Sequence, residues 1–493
     1  MAKGAFRDAF TIIADVEAAR PEQLFQKVAL MADSGVALRN LSMLEYGLYL
    51  LERHEKDLAV VPVYAPYYWI NLGHLRSNLL AIAETEGSPR CWYNRTLSAP
   101  ARTAYRNALS ALDAVEDASL PSPVQELKVQ ILNAHAHLLL GLGRDREAFE
   151  LFHDSLALNS QNPDARLGRS LTLSGLAGTA PQLETNLLLE SLTRLAPARD
   201  PDTAPAPAVP RDESQKIEES LLKRLKILTA QDAPQPDYPK NTIITADEQE
   251  HTTVMYSLRH RLYLGPCASC RKCDHAVGDS LGFGPRHAAV GGSGGERYRR
   301  SAVLLGRIVE RYRSLRLALI NHHRGINTPQ GPVYTPSLED WRSLSSSSSA
   351  LVSQLAGIGS LMEGMAAYIA LSLDRKISSP VRPEHILGTP KSPSSAVKDS
   401  SNPALHAFWD LWADGIEDQT LSGGPFQLLS GSLSHPGMEE LLHSPGRLET
   451  HTLKLLNRLA LLIQYLMRIP DRTAASEPPP PLWPLNSCQN PSF

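Results

Sequence analysis

The sequence predicts an all-α protein in which a solenoid of helical repeats precedes a separate helical bundle. Three observations predict it. Apolar residues recur at spacings of three and four over most of the 493 residues, and alternating β-branched runs are scarce beyond "NTIITA" at 241–246. Two internal stretches repeat a helix–turn–helix pattern of small and aromatic residues. A Pro/Ala segment without a core-forming pattern, "APARDPDTAPAPAVPRDES" at 196–214, divides the chain.

Composition excludes some classes before any motif is read. The formal net charge is −3, so an anionic partner must be met by a local patch. The opening "MAKGAFRDAFTIIADVEAARPEQ" carries acids throughout and no cleavage pattern, so a cytoplasmic location is expected. Three of five cysteines cluster and two stand alone, which fits a reducing compartment better than a disulfide framework. "ALVSQLAGIGSLMEGMAAYIALSL" at 350–373 is nominally long enough to cross a bilayer, but Gln354, Glu363 and several Ser and Gly favour a buried helix, and no membrane partner is expected.

Residues 1–195 form the expected repeat half. In "ILNAHAHLLLGLGRDREAFELFHDSLALN", a helix runs to the turn glycine Gly143, and Ala148, Phe152 and Ser155 follow on a second helix in a small–aromatic–small order. Upstream, Trp69, Leu72 and Gly73 lie on one helix, and Ala101, Tyr105 and Ala108 repeat the order on the next. The pattern resembles tetratricopeptide repeats, with about sixteen extra residues between Gly73 and Ala101. Small residues are needed because paired helices approach closely, and neighbours must stack because one repeat cannot bury its own apolar face. Such a surface is expected to take a protein or peptide partner.

A connecting helix and linker is expected over 215–245, then a helical domain over 246–470 with low-complexity insertions at 343–349 and 388–403, then a Pro-rich tail over 471–493. The helix "ERYRRSAVLLGRIVERYRSLRLALINHHR" places Leu305, Ile308, Tyr312, Leu315 and Leu319 on one stripe. Between 296 and 324 it holds eight arginines, two glutamates and no lysine. Arginine suits phosphate because its planar fork donates two hydrogen bonds to two oxygens. Arg299, Arg300, Arg307, Arg311 and Arg313 are therefore candidate RNA contacts.

The order of "AYRNAL", "LGRDREAFELFHDSLALN", "SLRHRLYLGP", an arginine-bearing helix and a helical C-terminal domain resembles bacterial proteins that fuse tetratricopeptide repeats to a C-terminal HEPN domain. The resemblance spans roughly residues 60 to 470. It implies a bundle of four to five helices and a metal-independent endoribonuclease of a defence or stress system, often a homodimer. It also implies an Arg and a His separated by four to six residues. In that chemistry the RNA 2′-hydroxyl attacks phosphorus, a histidine moves the proton and an arginine neutralises the phosphorane.

Two stretches compete. Arg447 and His451 open the last long helix, where the family places its signature, with Glu449 between them and only three intervening residues. Arg316 and His322 have the right spacing, five residues, but end an earlier helix. Location favours the first pair and spacing the second. The alternative from another class is a non-catalytic adaptor that binds protein or RNA.

"CASCRKCDH" supplies Cys267, Cys270, Cys273 and His275, half of a zinc knuckle without its second pair, so structural zinc is a candidate and no cofactor is required. "GDSL" at 278–281 spells an esterase nucleophile block, but the sheet such a nucleophile needs is missing from the pattern.

Overall fold

The computed structural model describes residues 20–85, 95–115, 122–177, 184–195, 211–230, 243, 245–265, 277, 279, 293–325, 333–334, 343–344, 346–375, 381–400, 402–418, 421 and 445–469. Among them the chain is all-α apart from two antiparallel pairs of two-residue strands, β1 (Val333–Tyr334) with β2 (Ser343–Leu344) and β3 (Gly388–Thr389) with β4 (Ser392–Pro393). It divides into two compact units. The first comprises Met1–Gly175, Leu187–Ala233 and Pro478–Phe493, and the second Leu176–Asn186 and Pro234–Glu477.

The N-terminal half runs through α1 (Pro21–Leu38), α2 (Leu41–Arg53), the single turn α3 (Glu55–Leu58), α4 (Ala65–Thr85), α5 (Arg95–Val115), α6 (Ser122–Gly141), α7 (Asp145–Leu158), α8 (Pro163–Ala177), α9 (Glu184–Leu195) and α10 (Arg211–Ala230). The last begins inside the expected 196–214 linker. Boundaries follow local chemistry. Arg39 ends α1 in a left-handed conformation, and the Asn40 side chain accepts the Met43 amide to start α2. Gly143 sits at φ 73°, and the Arg144 amide returns to the Leu139 carbonyl, so this glycine makes the turn between α6 and α7 as its place in the sequence predicts.

Successive helices pair and share cores. Ile70 and Leu80 of α4 meet Ala101, Tyr105 and Ala108 of α5 and Ile131 and Leu138 of α6. The other side of α6, through Ala136, Leu139 and Leu140, meets Ala148 and Phe152 of α7 and Ala165 of α8. Both predicted triples, Ala101–Tyr105–Ala108 and Ala148–Phe152–Ser155, are fully buried. Gly73 shows why a small residue is required: a Cβ there would lie 2.6 Å from a Tyr105 ring carbon.

The second unit is built around one long helix. It contains α11 (Glu248–Arg259), α12 (Ser293–His323), α13 (Ser346–Ala356), α14 (Ile358–Ser372), the turns α15 (Pro383–Leu387) and α16 (Ser395–Lys398), α17 (Pro403–Glu417) and α18 (Pro445–Arg468). The predicted stripe Leu305, Ile308, Tyr312, Leu315 and Leu319 is buried on α12, which packs against α13, α14 and α18. The apolar 350–372 stretch is long enough to cross a membrane by length and composition, yet it is broken at Gly357 into α13 and α14. Leu361, Met365, Tyr368 and Ile369 of α14 are buried. The Asn402 side chain caps α17 and donates to the Ile469 carbonyl at 2.7 Å, tying the start of α17 to the end of α18.

Candidate active site at the end of the arginine helix

The stretch "RLYLG" at 261–265, which leads out of α11 and serves as the entry stretch to α12, is held by groups around a buried ion pair on α12. Arg316 grips Asp279 with two parallel bonds of 2.8 and 2.7 Å, and Arg313 adds a third at 2.8 Å. The Leu264 amide donates to the same carboxylate at 3.0 Å, while Arg316 and Tyr312 both donate to the Leu262 carbonyl. The Arg316 guanidinium also lies over the Tyr263 ring, 4.6 Å from its centroid. From α18, Gln464 donates to the Leu264 carbonyl at 2.8 Å.

Burial alone would raise the Asp279 carboxyl, but the bonds from Arg316, Leu264 and Arg313 outweigh it and hold the group below the usual carboxylate range. Burial likewise disfavours the Arg316 cation, and Asp279 more than restores it. Arg316 therefore works here as a staple, with its fork spent inside the protein.

A second cluster forms two turns further along α12. His323, 44% exposed, bonds through Nδ1 to Glu449 Oε1 at 2.8 Å. Tyr256 of α11 donates its hydroxyl to the same oxygen at 2.8 Å. The Tyr256 ring contacts His323 at 4.3 Å and His260 at 4.5 Å between centroids. Arg324 donates to the Thr253 hydroxyl, one turn before Tyr256, at 3.3 Å. The α11 helix that carries these groups starts on Asp247, whose carboxylate accepts the Glu250 amide at 2.7 Å, while Glu250 reaches back to the Ala246 amide.

This arrangement fixes chemistry. A carboxylate only accepts, so Nδ1 of His323 carries the proton of this bond and Nε2 is the ring's remaining nitrogen. Burial, then the bond and charge of Glu449, push the Tyr256 phenol above its ordinary value, so it stays a donor at neutral pH. Arg324, next in sequence, is held by the Thr253 hydroxyl of α11, the helix that also carries Tyr256. Proton transfer at an imidazole nitrogen suits phosphoryl chemistry.

The two competing stretches thus meet, though not through the residues singled out. His322 turns to Ser348 of α13 at 3.2 Å, and its neighbour His323 faces the cluster. Arg447 and His451 are exposed one turn apart on α18, and Glu449, two positions from each, faces the other way into the cluster. Of the candidate RNA contacts, Arg299 and Arg307 are exposed, Arg300 pairs with Glu296, Arg311 bonds to the Ser360 hydroxyl, and Arg313 belongs to the staple. Cys267, Cys270, Cys273 and His275 lie outside the described residues. Among the described residues, no group of three or more His, Cys, Asp or Glu side chains is placed to hold a metal ion.

Tyr256, Thr253, Arg324 and the His323–Glu449 pairing escaped sequence reasoning. The available signal was spacing: Arg316 and His323 have six residues between them, inside the four-to-six window, and stand seven positions apart on one helix face. Comparison with protein-family models, curated proteins and solved structures finds no match to this chain.

Proposed function

We propose that the chain is a repeat-scaffolded, HEPN-type RNA-acting protein, a metal-independent endoribonuclease of a bacterial defence or stress system, with its active site at His323. The observation that carries this reading is the 2.8 Å bond between His323 and Glu449, which engages Nδ1 of a partly exposed imidazole and leaves Nε2 as its other nitrogen. In this reading His323 takes the proton of the RNA 2′-hydroxyl, Glu449 fixes its tautomer, and Arg324 neutralises charge gathering on the phosphoryl oxygens. Arg316 holds the entry stretch. The tetratricopeptide reading of the N-terminal half, supported by the two buried small–aromatic–small triples and by Gly73 against Tyr105, makes that half the docking surface for a protein or peptide. Pairing of two C-terminal bundles is part of the same proposal.

One observation favours a second reading. The arginine with the family spacing is engaged on Asp279, which suits a non-catalytic adaptor that binds RNA without cutting it. Incubation of the full chain with total RNA in EDTA separates the two. Cleavage is expected, with His323→Ala lowering it roughly 10²-fold or more and His451→Ala and His322→Ala changing it little. RNA retained uncut by the wild-type protein establishes the adaptor, and cleavage that survives His323→Ala removes the assigned base.

A further inference from the structure

His323 is the last residue of α12, where the helical ladder runs out. The Arg324 amide still returns to the Ile320 carbonyl and the Gly325 amide to the His322 carbonyl, both at 3.0 Å, and Gly325 then turns left-handed at φ 61°. A closing turn is the part of a helix that frays, so a base carried there needs holding from outside. We infer that Tyr256 is the positioning residue that supplies this hold, by fixing the Glu449 carboxylate that in turn fixes the His323 ring. Its catalytic meaning rests on the ribonuclease reading above, whereas the placement of the ring does not.

Two donors meet on one oxygen. The Tyr256 hydroxyl and His323 Nδ1 each lie 2.8 Å from Glu449 Oε1, and among the described residues no other group bonds to that carboxylate. The backbone of Glu449 is already fixed, because Leu448 beside it and Thr452 one turn on are buried. Its side chain is another matter: it has several rotatable bonds and is 24% exposed, so the histidine bond alone would let carboxylate and imidazole swing together. The tyrosine bond comes from a different helix and removes that freedom.

Tyr256 can do this because it is itself held. Its ring is buried, and burial followed by the bond and charge of Glu449 keeps the proton on its hydroxyl. Its helix is tied at both ends. Asp247 accepts the Glu250 amide at the start of α11, and past its end the Leu262 amide returns to the Ser257 carbonyl at 2.8 Å. The Leu262 carbonyl then takes the bonds from Tyr312 and Arg316, so α11 is anchored to the same helix that carries His323.

His323 thus meets Tyr256 twice. The two rings touch at 4.3 Å between centroids, tilted by 39°, and the shared carboxylate joins them again through hydrogen bonds. The contacts restrain different motions: the ring contact limits the tilt of the imidazole, and the carboxylate selects the nitrogen that is engaged, Nδ1, and so the one that is left, Nε2. One turn earlier on α11, the Thr253 hydroxyl takes the Arg324 side chain at 3.3 Å, so the same helix also holds the residue that follows His323. A phenylalanine at 256 would keep the ring contact and lose the selection, which separates the hydroxyl's role from that of packing.

The test uses the full chain with isotope-labelled histidine rings, the His323 signal being the one that His323→Gln removes. NMR then follows exchange of the His323 Nδ1 proton with water. Tyr256→Phe should speed that exchange roughly 10-fold or more, the worth of a hydrogen bond to a charged group. The buried His406, bonded to the Val397 carbonyl at 2.7 Å, reports the fold of the same unit and should keep its wild-type signal. Glu449→Ala breaks the link from the other side and should speed the exchange at least as much. On RNA, Tyr256→Phe should lower kcat roughly 10-fold with KM near wild type, and should cost nothing further in a Glu449→Ala background, because its effect passes through that carboxylate. Wild-type exchange in either variant, or additive losses in the double variant, overturns the assignment. Faster exchange in a protein whose wild type leaves RNA uncut upholds the positioning of the ring and overturns the ribonuclease reading instead.

Discussion

Replacing Gly73 by alanine isolates what the close helix pairing in the N-terminal half requires. In a free helix interior this change stabilises by about 1 kcal/mol, because glycine loses the most backbone freedom on folding. At Gly73 the new methyl would sit 2.6 Å from the Tyr105 ring, and that ring cannot yield: it is fully buried, its hydroxyl is held by Ser77 at 3.2 Å, and it contacts the His74 and His135 rings at centroid distances of 5.8 and 5.7 Å. Overpacking of this kind costs about 1–3 kcal/mol, so the helix gain is cancelled and α4 and α5 are expected to be destabilised on balance by up to roughly 2 kcal/mol. Gly306 in α12 supplies the control, since a Cβ there meets nothing within 4 Å and Gly306→Ala should stabilise by about 1 kcal/mol. Hydrogen exchange read peptide by peptide under increasing urea measures each unit separately, which a single melting curve on a two-unit chain does not. Tyr105→Leu in the Gly73→Ala background should recover about 1 kcal/mol relative to the sum of the single changes. Equal stabilisation by Gly73→Ala and Gly306→Ala would refute the claim that these helices approach as closely as the repeat pattern demands.

Two further outcomes follow from buried ionisable groups. Burial pushes the His74 imidazole down to about 4, so both folded and unfolded chains are neutral there above pH 6.5, but only the unfolded chain gains the proton as pH falls below that. Stability of the first unit should therefore drop by up to about 3 kcal/mol between pH 6.5 and 4, and His74→Gln should remove that part of the slope in urea titrations at each pH. In the second unit, Asp279→Ala leaves Arg316 with a buried unpaired charge and should cost roughly 3–5 kcal/mol, seen as faster exchange of the α12 and 262–264 amides; a cost under 1 kcal/mol would show that the staple is idle.

Much of the fold was legible in the sequence, because it rests on local periodicity. The spacing of Leu305, Ile308, Tyr312, Leu315 and Leu319 selects one helix face, and that face is the buried one. Gly143 and the two small–aromatic–small triples were readable for the same reason: each reports a local steric demand, a left-handed turn or a close approach. The site was less legible because it depends on which face each residue takes. His322 and His323 are adjacent, and about 100° of helical rotation separates a serine contact on α13 from the Glu449 carboxylate on α18. Arg316 and His323, seven positions apart, share a face; Arg316 and His322, six apart, do not. Linear spacing treats the two histidines alike, and on the last helix it points to Arg447 and His451, whereas Glu449 is the residue that reaches His323. Nor could composition tell that Arg316 would be claimed by Asp279, since that contact joins two residues with 36 others between them. The same separation explains Tyr256. It lies 193 residues from Glu449, and its role arises because α11 and α12 each bring one polar group to the same carboxylate oxygen on α18. A site assembled from single residues on three helices leaves no motif, only isolated His, Glu and Tyr whose chemistry becomes visible once the helix faces are known.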